Sequence, residues 1–394
     1  MMSQSKRDSG NYKPFTYFLI SFLLMGLLSC KPISDFHKEL DYSVTEIPEN
    51  SEGDYNDTLK TVILIADHRS TEIFDLLSPY YLFSSSGEAN VYIVSKEEQP
   101  INLFRGLMVM PHYSFETFRS LGISPDLIVI PNLSSVEKEK IDPDITDFIR
   151  SQFVDGKTSV LSVCDGAAVA SQTGLFDGFK ITTHSSDLDY LAKQWPQLEW
   201  EKGLKVIESN GFYSTAGVSN ATEGSLVVMK SLFGHEVANR VAEKIYFSFD
   251  SQELDKTHQP IGWSDKYQIL KKVLFKDNKK VGFMLTEGIS ELSLAGMLDT
   301  YSRTFPENIG TFSLDGRPVN SENGLVLIPT ETAMDFDEIH VFEKSALSGK
   351  ENVKDHSDVK EYVFDYSLSL IENEFGSNFK NAVIKLLDYE YQSK

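Results

Sequence analysis

Cysteine is almost missing from this chain: its 394 residues include two, Cys30 and Cys164. Two thiols cannot build a disulfide framework or a cysteine-rich zinc site, so each needs its own explanation. Positive charge is also scarce, with 37 Lys and Arg against 58 Asp and Glu and a formal net charge of −21. That balance leaves no broad phosphate-neutralising surface and excludes nucleic acid as a partner. No glycine-rich phosphate loop of the Walker type occurs, and the eight histidines are scattered without metal-ligand spacing. Neither a cofactor nor a metal is therefore implied. His112 and His235 read as surface positions, and Trp195 and Trp200 as packing residues. Apolar content, at 41%, is ordinary for a globular protein, and the length allows two or three domains.

The amino end carries Lys6, Arg7 and Lys13, then an uncharged apolar run from Phe15 to Leu28, then Ser29 and Cys30. A basic start and an apolar stretch shorter than the ~20 residues of a spanning helix match an export signal. Leu27-Leu28-Ser29-Cys30 resembles the lipobox of bacterial lipoproteins, which implies cleavage before Cys30 and its acylation. The expected organisation is a signal over 1–29, a flexible tether over 30–59 rich in Asp, Glu, Ser, Asn and Pro, and a mature protein lipid-anchored in the cell envelope.

From Thr61 the pattern changes to short continuous apolar runs separated by helix-length segments. Val62-Ile63-Leu64-Ile65, Val91-Tyr92-Ile93-Val94, Leu127-Ile128-Val129-Ile130 and Val160-Leu161-Ser162-Val163 read as buried strands of a parallel sheet. Ile73 to Phe83 and Ile145 to Phe153 have helical spacing. The alternation predicts a doubly wound α/β domain over 60–249, whose ligands would sit beyond the carboxyl ends of the strands. Residues 250–279 turn polar and read as a linker. Over 280–394 earlier segments return in the same order. Lys280-Val281-Gly282-Phe283-Met284-Leu285 restates the opening strand, and Gly324-Leu325-Val326-Leu327-Ile328-Pro329 restates Gly106-Leu107-Met108-Val109-Met110-Pro111. Phe375-Gly376 and the helix after it restate Phe233-Gly234. This region reads as a shorter, degenerate repeat of the same fold.

Ser159-Val160-Leu161-Ser162-Val163-Cys164-Asp165-Gly166-Ala167-Ala168 runs from an apolar strand straight into small residues that open a helix, the construction of a nucleophile elbow. A thiol there faces the positive end of the helix dipole, which favours the thiolate. Together with Thr173-Gly174-Leu175-Phe176-Asp177-Gly178, Thr182-Thr183-His184 and Ser214-Thr215-Ala216-Gly217-Val218-Ser219, this segment resembles the ThiJ/PfpI family of the class I glutamine amidotransferase-like superfamily. The nearest branch is that of isonitrile hydratases and of the sensor domains of AraC-type regulators. The resemblance implies a flavodoxin-like α/β sandwich, commonly dimeric, with Cys164 as nucleophile, Asp75 of Asp75-Leu76-Leu77-Ser78-Pro79 as the acidic partner, and His184 as an auxiliary. Glu72 lies close by and reads as a solvated helix-start residue.

Two departures from the family pattern stand out. Pro131-Asn132-Leu133 replaces a Pro-Gly-Gly loop on the oxyanion side, leaving the Asn132 loop and the backbone around Asp165 and Gly166 as the expected stabilisers of developing charge. Asp165 replaces Thr or Ser, and as an anion it would oppose thiolate formation and raise the pKa of Cys164. In the second copy Ser293 falls at the position of Asp75 and Met297 at that of Pro79, with no cysteine, so this copy is expected to be inert and to pack on the first in place of a dimer contact. The leading functional expectation is a cysteine-dependent hydratase, lyase or hydrolase acting on a small electrophile, a 2-oxoaldehyde or an isonitrile. The alternatives are a non-catalytic small-ligand or stress-sensing module and a redox sensor through Cys164.

Overall fold

The structure, a computed structural model, describes residues 47–51, 53–133, 135–250, 254–255, 259–276, 278–332 and 335–391. The export signal, Cys30 and most of the tether lie outside the described residues. No helix among the described residues is long and apolar enough to cross a membrane.

The first unit is built on β1 (Lys60–Ala66), α1 (Ile73–Ser86), β2 (Ala89–Ser95), β3 (Leu127–Ile130), α2 (Pro143–Gln152), β4 (Ser159–Ser162) and α3 (Gly166–Gln172). The hairpin β5 (Val206–Ser209) and β6 (Phe212–Thr215) and the helices α4 (Ala221–Phe233) and α5 (His235–Lys244) follow. The sheet order is β5-β6-β4-β3-β1-β2, with Tyr113–Ser114 on the outer edge, and every pairing is parallel except β5 with β6. The four apolar runs thus form the central strands, buried on both faces as continuous Val/Ile/Leu runs require. One face packs against α2 and α3 through Ile63, Ile128, Phe148 and Phe176, and the other against α1, α4 and α5. His112, expected at the surface, is buried: its Nδ1 accepts from the backbone N–H of Ile93 at 3.0 Å, and burial lowers its pKa to about 3.

The expected linker holds a helix, α6 (Trp263–Phe275), and the second unit follows with β7 (Lys280–Met284), α7 (Glu291–Ser302), β8 (Asn308–Phe312), β9 (Glu338–Val341), β10 (Val353–Asp355), α8 (Val363–Phe375) and α9 (Ser377–Leu387). Its parallel sheet runs β8-β7-β9-β10, the order of β2-β1-β3-β4 in the first unit. Local details repeat as well. The Asp126 carboxylate accepts the N–H of Thr61 as that of Asp337 accepts the N–H of Lys280, both at 2.9 Å. Gly234 and Gly376 break the last two helices of each unit with φ of 94° and 87°.

The two units meet through like elements. Leu327 pairs with Val109 and Ile328 with Met108 in an antiparallel ladder between the two restated segments. Helix α1 packs on α7, and Phe74 meets Phe364 with ring centroids 4.4 Å apart. The apolar core on the α1 face therefore continues without a break into the second unit.

Candidate active site

Cys164 follows β4 with φ of 53°, a left-handed conformation that a residue with a side chain adopts at a cost of ~1 kcal/mol or more. The turn is held from both sides, since the Cys164 N–H donates to Thr215 Oγ1 at 3.3 Å and Thr183 Oγ1 lies 2.9 Å from the Cys164 carbonyl. The next turn has no room for a side chain. A Cβ on Gly166 would come 2.1 Å from the Ile130 carbonyl oxygen and 2.8 Å from that of Pro131. Gly166 thus lets the start of α3 lie against the end of β3, which places the thiol above the carboxyl edge of the sheet.

Two carboxyl groups at the start of α1 act on the thiol through their charge. Glu72, expected to be solvated, is instead 6% exposed because it caps the helix: its Oε2 accepts the Asp75 N–H at 2.7 Å, and its own N–H donates to the Asn132 carbonyl. Asp75 is fully buried, and its Oδ2 accepts the Asn132 N–H at 3.1 Å. Asp75 Oδ1 and Glu72 Oε1 are buried without a hydrogen-bond partner. Burial first, and then the charge of Glu72, push Asp75 well above the usual carboxylate range, and burial raises Glu72 as well. Both shifts favour the protonated form of the pair, and burial is the larger cause in each. Burial also pushes the Cys164 thiol well up, reinforced by Asp165, Asp75 and Glu72. The direction is the one expected from sequence, but burial dominates it.

Asp165 differs from the anion expected. Burial, and then the charge of Asp187, raise its pKa to about 8. Thr183 Oγ1 donates to Asp165 Oδ1 at 2.7 Å and lies 2.9 Å from the Cys164 carbonyl, which also accepts the Ala167 N–H at 3.3 Å. The Asn132 N–H, expected to face developing negative charge, is directed to Asp75. The His184 ring lies 2.8 Å through Nδ1 from Ser186 Oγ, and its backbone N–H donates to Asp165.

Two further residues come from the second unit. Arg303, just after α7, is 6% exposed and hydrogen-bonds the Asp299 carboxylate and carbonyl and the Leu386 carbonyl. Burial lowers its pKa, while Glu72, Cys164 and Asp75 act on it in the opposite sense. Asp388, just beyond α9, accepts from Ser185 N–H and Oγ, and its carbonyl accepts from Ser219 Oγ. It packs so closely on Gly217 that a Cβ there would lie 2.2 Å from the Asp388 Cβ. Neither residue carries a motif that would mark it in the sequence, because each reaches the site only by the packing of one unit on the other.

A doubly wound α/β unit with a cysteine elbow flanked by buried acids defines the class of this first unit. Comparison with known proteins sharpens that: residues 60–230 match the DJ-1/PfpI family, which supports placing the unit in the ThiJ/PfpI family. The chain is 28% identical over 186 residues to an isonitrile hydratase of Pseudomonas putida, covering 46% of this chain and 78% of that protein. Among solved structures, Drosophila melanogaster DJ-1beta is 18% identical and superposes with a TM-score of 0.44 over 48% of this chain and all of its own. A ThiJ/PfpI family protein from Pseudomonas syringae is 20% identical with a TM-score of 0.42, covering 54% of this chain and 84% of that one.

Proposed function

We propose that the first unit catalyses cysteine-dependent addition of water to a small neutral electrophile, of which an isonitrile is the leading candidate and a 2-oxoaldehyde the second. One observation carries this reading: a buried thiol under the influence of a buried carboxyl pair, each member of which keeps one oxygen without a hydrogen-bond partner. Such a site suits a substrate that must be protonated as it is attacked. Asp75, with Glu72 behind it, gives a proton to the substrate carbon. Cys164 attacks the isonitrile carbon as its own proton passes to the carboxyl pair, giving a thioimidate; water then adds to that carbon with a proton passed to the substrate nitrogen, and the C–S bond breaks as the hydroxyl proton returns to sulfur, releasing the formamide and the thiol. Arg303 limits the negative charge that accumulates during the exchange. The similarity to an isonitrile hydratase supports this choice of substrate. Cys30 serves as the lipid attachment in this reading, with the unit displayed from a bacterial envelope membrane.

The second reading, a binding module without turnover, is favoured by the direction of the Asn132 N–H into Asp75 and by Asp388 over the elbow rim. The deciding experiment assays isonitriles and glyoxals with the soluble 31–394 protein and its Cys164→Ser and Asp75→Asn variants. Turnover that both substitutions reduce by about 10²-fold or more supports the enzyme. Absence of cysteine-dependent turnover on every compound refutes it in favour of the binding module.

A further inference from the structure

A cavity of about 270 Å³ lies in the second unit, away from Cys164, with walls from both units. Strand register gives its place in the fold. In the first sheet Leu64, Val129 and Leu161 stand side by side, and in the second Phe283, His340 and Lys354 do. Val163 N–H donates to the Ile130 carbonyl and His356 N–H to that of Val341, both at 2.9 Å. Counting on from these rows, Ser357 occupies the place of Cys164, as Ser293 occupies that of Asp75. Both serines line the cavity. It is the second unit's counterpart of the elbow site, emptied of nucleophile and acid but still hollow.

The polarity of its walls is set from behind by a buried relay. Glu338 lies 2.7 Å from Lys279 Nζ and 2.6 Å from Lys354 Nζ. Burial opposes its ionisation, but hydrogen bonds from His340 and the two lysines hold its carboxyl below the usual range. Being acceptor-only, Glu338 takes the Nε2–H of His340 at 3.0 Å. His340 Nδ1 must then accept from His356 Nε2 at 2.8 Å, and His356 Nδ1 from the Tyr366 hydroxyl at 2.9 Å. Burial lowers the pKa of both imidazoles, that of His356 to about 3, so neither carries a second proton to reverse the order. Tyr366 spends its proton inward and offers the cavity lone pairs only.

The remaining walls act in the same sense. Glu343 and Glu361 are exposed at the rim with no cation paired to either among the described residues. The cation of the lining, Lys244, is already bound by Glu322 at 2.8 Å and lies over the Tyr81 ring. The first-turn acids of α7 and α8, Glu291 and Asp365, stand outside the cavity lining and are hydrogen-bonded to Ser321 and Asn323 and to Tyr389. Tyr81, Tyr246, Tyr366 and Phe342 supply ring surface, and Leu292 and Met297 an apolar floor. Acceptors, unpaired carboxylates and aromatic faces together recognise a positive charge on a small apolar body.

We propose that this cavity is a second ligand site that takes a small organic cation, a primary amine on an aromatic or alkyl body. The site is independent of turnover at Cys164. Calorimetric titration of the soluble 31–394 protein with phenethylammonium, benzylammonium and butylammonium, each beside its alcohol and its carboxylate counterpart, tests it. At least one amine binds, about tenfold or more tighter than its uncharged and anionic counterparts. The Glu343→Gln/Glu361→Gln double variant, altered only at exposed positions, loses about tenfold in amine affinity, whereas Cys164→Ser leaves it unchanged. Equal binding of the three charge types, loss of binding in Cys164→Ser, or no amine binding up to about 10 mM overturns the proposal.

Discussion

At the scale of single residues, the elbow owes its character to burial more than to sequence identity. Asp165 shows this best, because the same side chain at a solvated helix start would be an anion. With a folded pKa of about 8 against 3.8 ordinarily, the folded protein keeps a proton there that the unfolded chain has lost. The contribution to stability is complete below the ordinary value and is lost as pH rises through about 8. Asp75 and Glu72 act in the same direction. Thermal unfolding followed from about pH 7 to pH 9, above the range in which the buried histidines contribute, is expected to show a falling Tm, and Asp165→Asn, whose amide can keep the hydrogen bond with Thr183, flattens part of that fall. Equal slopes for the two proteins would show that Asp165 titrates normally. Cys164 and Asp165 were legible because a strand running into small residues is a local pattern, and Asp75 was reached only through the resemblance of Asp75-Leu76-Leu77-Ser78-Pro79 to the family's segment. Glu72 and His112 were misjudged, since burial of a polar group depends on what packs over it.

At the scale of elements, the site depends on the end of β3 and the start of α3 touching without a side chain between them. Gly166→Ala places a methyl group against the Ile130 and Pro131 carbonyls, and neither can move without breaking the β3 to β4 ladder. The expected destabilisation is about 2–3 kcal/mol by denaturant titration, with loss of any cysteine-dependent turnover. A change below about 0.5 kcal/mol would mean that the turn relaxes freely. Strands β1 to β4 were legible because continuous Val/Ile/Leu runs suit only a strand buried on both faces. Helix α6 was not, because its buried stripe of Asp265, Ile269, Lys272 and Val273 is half polar and sits in a Lys-rich segment, and the contact that supports it, α9, lies more than a hundred residues further along the chain.

At the scale of the whole molecule, the second unit lies over the first one's site as well as beside it. Helix α1 is covered by α7, the elbow rim by Asp388, and the acid pair receives Arg303 from the end of α7. Asp388 has φ of 54°, so Asp388→Gly removes the carboxylate while suiting the backbone. Iodoacetamide modification of Cys164 at fixed pH is expected to be about tenfold faster in this variant, since the side chain packed on Gly217 and Ser185 at the elbow rim is gone. An unchanged rate would place the barrier to the thiol elsewhere. The restated segments also pair with each other within one chain, Val109 with Leu327 and Met108 with Ile328.

The sequence by itself determined the architecture of the first unit, the elbow and the order of elements in the second, because periodicity, glycine placement and turn chemistry act over a few residues. Tertiary structure alone decided the burial of the acids, the direction of the Asn132 N–H, the arrival of Arg303 and Asp388, and the relay that turns Tyr366 into an acceptor. Each of these depends on desolvation and on partners far apart in the chain, and the free energy of a buried charge is set by everything packed around it.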